Sequence, residues 1–97
     1  MNEYRDLIIP AILLPAHISH LQIIKGQEGV RVQIERKYKA AYHNEPITIR
    51  QERYIGWIEV VNNQLAWEII LGELLTKMFD QLASNEYCEN VIRNQGS

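Results

Sequence analysis

The chain has 97 residues, of which 46% are hydrophobic and 23% charged, and its formal net charge is −2. One domain spanning residues 1–97 is expected at this length, the apolar share excludes intrinsic disorder, and the charge excludes a polybasic, histone-like protein. A chain this short buries only about 60–65% of its unfolded surface, so its core is thin and leftover apolar surface needs a second molecule to cover it.

Taken in chain order, residues 5–9 read as extended, because a proline disfavours helix in the residue before it and Pro10 follows. Pro10 and Pro15 bracket a short irregular or single-turn segment. His17 to Lys25, with Ile18, Leu21, Ile23 and Ile24, reads as a strand, and Gly26-Gln27-Glu28-Gly29 as a hairpin turn. Val30, Val32 and Ile34 alternate with Arg31, Gln33 and Glu35, the period of a half-buried strand, and the pattern runs on towards Tyr42. Asn44-Glu45-Pro46 is the next turn. A long strand follows from Ile47 to about Val61, with Ile47, Ile49 and Ile55 on one face and Ile58 and Val60 on the other. Either a bulge at Gly56 switches the face or the stretch is buried on both sides.

Asn62-Asn63 reads as an N-cap for a helix over about 64–83. Trp67, Leu71, Leu74, Leu75, Met78 and Leu82 follow helical spacing and form one stripe. Ser84-Asn85 then caps a short helix to about Asn94, anchored by Tyr87, Val91 and Ile92. Strands followed by helices give an α+β class: an antiparallel sheet of three to four strands, one long helix packed on it and a short C-terminal helix.

The long helix carries a second apolar stripe. At 100° per residue, Leu65, Ile69, Gly72, Thr76, Phe79 and Ala83 fall close together, roughly opposite the first. A helix apolar on two sides is buried on two sides. Either the N-terminal segment or the short helix folds over the second stripe, or it is an interface. The favoured reading is a non-enzymatic protein-interaction module, a subunit, adaptor or inhibitor. It self-associates or binds a partner through Leu65, Ile69, Gly72, Thr76 and Phe79. Charging Ile69 and Phe79 together then dissociates the assembly. A bacteriophage or mobile-element product aimed at a host complex also fits this compact, motif-free chain.

Charge is uneven along the chain. Residues 30–54 carry a net of +3 and residues 55–97 a net of −4. Arg31, Lys37, Lys39, Arg50 and Arg53, interleaved with Tyr38 and Tyr54, supply the alternative: a nucleic-acid-associated sheet face that tracks phosphates and stacks bases. The competing explanation is a solvated strand face that keeps an edge soluble. No RNP-like motif, zinc-finger spacing or helix-turn-helix accompanies these residues.

Other chemistry finds little support. His17 and His20 fall on opposite faces of a strand, and HExxH and CxxC are absent, so no metal site is expected. No cofactor is expected either, since the sequence lacks P-loop, GxGxxG and GxSxG loops. Glu52 with Glu59, or Glu68 with Asp80, would need burial to act as an acid/base pair. Cys88 lies between Glu86 and Glu89, which disfavour its thiolate, and as the sole cysteine it fits a reducing, cytoplasmic compartment. The apolar run Leu7–Ile24 is broken by Pro10, Pro15, His17, Ser19, His20 and Gln22, too often for a membrane span, so it reads as buried or partner-covered. The acidic start Asn2–Asp6 does not resemble a signal peptide.

Overall fold

The computed structural model describes residues 5–56 and 67–95. Strands β1 (Arg5–Ile8), β2 (His20–Lys25), β3 (Gly29–Tyr38) and β4 (Ile47–Gly56) precede helices α1 (Trp67–Ala83) and α2 (Asn85–Gln95). The strands form one sheet in the order β1-β2-β3-β4, every neighbouring pair antiparallel. This is the α+β architecture expected, with residues 5–8 supplying the fourth strand. Ile9 extends that pairing by donating its N–H to the Leu21 carbonyl at 3.0 Å.

Alternation sets the sheet's inner face. Leu21 and Ile23 of β2, Val30, Val32 and Ile34 of β3, and Ile49 and Ile55 of β4 are buried, and Met78, Leu82 and Cys88 of the helices close the cluster. The same parity carries Arg36 and Tyr38 inward along β3, and Gln51 along β4. At the β2–β3 turn, Gly26 donates to the Gly29 carbonyl at 2.9 Å. Gly29 has φ +154°, and a Cβ there would lie 2.1 Å from the Ile55 carbonyl oxygen. Only glycine lets β3 start this close to β4.

Two boundaries differ from the sequence pattern: β2 starts at His20 rather than His17, and β3 stops at Tyr38. Beyond β3 the His43 N–H donates to the Ala40 carbonyl, and Tyr42 is 99% exposed in that turn. The Lys39 ammonium holds that loop by donating to the carbonyls of Ala40 and His43. On β4 the ladder runs unbroken from Ile47 to Gly56, which pairs with Gly29, so no change of face occurs up to that point. Ile58, Val60, the Asn62-Asn63 cap and the first helical residues lie outside the described residues.

Between β1 and β2 the chain makes a single 3₁₀ turn, Ala11–Leu13, bounded by Pro10 and Pro15. Ile9 and Leu14 pack on the core and Ile18 is buried, which pins the segment at both ends. A carbonyl only accepts, so the bond between His17 Nε2 and the Phe79 carbonyl, at 2.9 Å, requires a protonated Nε2 and ties this segment to α1. Among the described residues no helix is long and apolar enough to cross a membrane.

Candidate interaction surface

The first helical stripe packs as its spacing implies from Leu71 onward, while the Trp67 side chain lies outside the description. Met78 and Leu82 are buried, and Leu71, Leu74 and Leu75 pack against the cluster at partial exposure. The second stripe divides. Phe79 is half-buried and packs against the core, whereas Ile69 is 61% exposed and Gly72, Thr76 and Ala83 are exposed. Leu65 lies outside the described residues. The division follows from angle: at 100° per residue, Phe79 lies closer than Ile69 to the direction of Met78 and Leu82. Charging Phe79 therefore strikes the core as well as the surface, and Ile69 is the position that reports on the free face alone.

That face forms a shallow open depression lined by Ile69, Gly72, Glu73, Thr76 and Lys77. The Thr76 hydroxyl donates back to the Gly72 carbonyl at 2.9 Å, the i−4 bond typical of a helical threonine, so its polar atom is satisfied within the helix. A Cβ placed on Gly72 meets nothing within 4 Å. Glu73 and Lys77 flank the depression and are exposed, and neither belongs to an ion pair among the described residues.

A second exposed apolar group accompanies the edge strand β1. Ile12 is 91% exposed and Leu13 71%, beside exposed Leu7 and Ile8. By sequence the whole of Leu7–Ile24 reads as buried or partner-covered. The signal lay in the prolines: a single turn between Pro10 and Pro15 cannot bury Ile12 and Leu13 together with Ile9 and Leu14.

The basic residues are separated by parity. Arg31, Lys37, Arg50 and Tyr54 share the sheet's outer face, Tyr38 and Arg53 lie on the helix side, and Lys39 lies in the loop. The outer face is a ladder of mixed sign. Arg50 Nε meets Glu35 at 2.7 Å, Arg31 Nε lies 3.8 Å from Glu52, and Gln33 donates to Glu52 at 2.8 Å. Lys37 donates to Thr48 at 3.3 Å, and Gln22 donates to Asp6 at 3.1 Å. Of these strand cations, Arg31 and Arg50 meet Glu52 and Glu35, whereas Lys37 bonds to the Thr48 hydroxyl. The Tyr54 hydroxyl is held by the Glu28 carbonyl.

Inside, Arg36 forms the joint between the helices. It donates to the Leu82 carbonyl at 2.6 Å and to Asn85 at 3.1 Å, and lies 5.1 Å from the centre of the Tyr38 ring. Tyr38 in turn donates to Glu89 at 2.8 Å, which raises its pKa. Burial raises that of Cys88, against a lowering by Arg36. Glu52 is engaged in the outer ladder and Asp80 is exposed. The histidines have separate partners: His17 donates to Phe79, and His20 Nε2 lies 3.2 Å from Gln22 Oε1. Among the described residues no three His, Cys, Asp or Glu side chains come together as a metal site.

Comparison with protein-family models, with curated proteins and with solved structures finds no match to this chain.

Proposed function

We propose that this protein is a non-enzymatic interaction module of the cytoplasm that works by self-association through the free face of α1. The observation that carries the reading is Ile69: a large aliphatic side chain 61% exposed beside Gly72 and Thr76, on a helix whose opposite side is already in the core. A solvent-exposed isoleucine beside small residues offers a second helix both apolar area and close approach. A copy of the same chain suits the face because the charges flanking it, Glu73 and Lys77, are of opposite sign and in no ion pair among the described residues. Nucleic-acid binding by the outer sheet face is the weaker alternative, since Arg31 and Arg50 already meet Glu52 and Glu35.

Size-exclusion chromatography with light scattering, at low and high salt and with absorbance read at protein and nucleic-acid wavelengths, tests this. The expected result is a dimer that persists at high salt, carries no nucleic acid, and is lost in Ile69→Asp with the circular dichroism unchanged. An apolar contact survives salt, whereas a phosphate contact weakens steeply. A monomeric wild type, or an Ile69→Asp variant that still associates, overturns the reading. Nucleic acid released by salt would move the function to Arg31, Lys37 and Arg50.

A further inference from the structure

We propose that two copies of this chain pack α1 against α1 in antiparallel fashion, about a twofold axis beside residue 74, with Glu73 of each copy paired to Lys77 of the other. The inference rests on the self-association reading and specifies its geometry.

A twofold contact is isologous, so a patch must be complementary to itself, and residues equidistant from the axis along two antiparallel helices meet. The free face of α1 has this symmetry about position 74. Gly72 and Thr76 lie two residues to either side, and Ile69 and Phe79 five. Small thus faces small near the axis, while large faces large further out, which lets the backbones approach at the centre. Nothing within 4 Å of the Gly72 Cβ position obstructs that approach. The exposed edge of Phe79 remains available although most of its ring serves the core.

Charge selects the direction. Glu73 and Lys77 are four apart, on one flank of the face, and neither has an ion-pair partner among the described residues. In a parallel pair the twofold axis runs along the helices and sets this flank against the opposite flank of the other copy, so the two charges never meet. In an antiparallel pair centred at 74, Glu73 of each copy lies within about one turn of Lys77 of the other, twice over. One helix face is less than the roughly 800 Å² per partner of a standard interface, so a dissociation constant of order micromolar is expected.

The test is sedimentation equilibrium on wild type, Glu73→Lys, Lys77→Glu and an equimolar mixture of these two variants, with far-ultraviolet circular dichroism as a check on folding. Each single variant gives the flank one sign, and its self-association is expected to weaken by about tenfold or more, equivalent to 1.4 kcal/mol. The mixture is expected to form a heterodimer within about threefold of the wild-type affinity, because an all-lysine flank then faces an all-glutamate one. Pairing within one helix cannot produce that rescue. A second measurement covers loss of folding in the charge variants. Gly72→Cys mixed with Thr76→Cys should give mainly the mixed disulfide on oxidation, the native Cys88 being fully buried. A wild type that stays monomeric overturns the proposal. So does a mixture no tighter than its components, or a random distribution of disulfides. If Ile69→Asp dissociates the dimer while the charge variants behave as wild type, the helix face stands and the antiparallel geometry falls.

Discussion

Gln51 is a buried polar residue on the sheet's inner face. Its amide nitrogen donates to Gln81 and to the Tyr87 hydroxyl, and its oxygen has no partner among the described residues. An orphaned buried acceptor costs about 1–3 kcal/mol, whereas replacing a polar group by an apolar one of similar shape is nearly neutral. Gln81 is exposed and Tyr87 half-buried, so both can turn to water. Gln51→Met is therefore expected to leave stability unchanged or raise it by up to about 1 kcal/mol in denaturant unfolding. A loss beyond about 1 kcal/mol would show that the two amide bonds outweigh the orphan. The position was readable from alternation, since it shares parity with Ile49 and Ile55. Its partners were not, because Gln81 and Tyr87 lie 30 and 36 residues away.

At the scale of elements, the α1–α2 joint shows how a local signal and a long-range one meet. The Ser84 hydroxyl accepts the Tyr87 N–H at 3.1 Å, and Cys88 donates to the Ser84 carbonyl at 3.1 Å, which makes Ser84 the N-cap of α2. Ser84→Ala is expected to cost about 0.5–2 kcal/mol, read as a lower unfolding midpoint, while Ser84→Asp, which keeps the acceptor, should stay near wild type. On the other side of the joint, Arg36 satisfies the Leu82 carbonyl at the end of α1, where a cation is also favoured by the helix dipole. The cap was legible in Ser84-Asn85 because capping is decided within four residues. By sequence Arg36 is one more cation of the basic stretch 30–54. Only pairing β3 beneath the helices shows that it faces inward and serves as a structural donor.

At the scale of the molecule, two ionisable groups beneath α2 favour the folded state only when neutral. The Glu89 hydrogen bond holds Tyr38 above its ordinary 10.0, and burial holds Cys88 above its ordinary 9.0. For an acid whose folded pKa is raised, the stabilising contribution is complete below the ordinary value and is lost as pH rises through the raised one. The unfolding midpoint is thus expected to fall as pH climbs above about 9. Tyr38→Phe should remove the upper part of that decline and leave the lower part, since Cys88 remains. A midpoint flat to strong alkali would show that neither group is coupled to folding.

The elements and the fold class were determined by the sequence alone, because periodicity is a local property. Val30, Val32 and Ile34 alternate and thereby define a strand face, while Leu71, Leu75, Met78 and Leu82 recur at helical spacing and define a stripe. The mixed fate of the second stripe was decided only by the tertiary structure. It depends on how much apolar surface a four-stranded sheet can cover with one long helix and one short one. That is a balance of areas between distant segments, and here it leaves Phe79 in the core and Ile69 outside it.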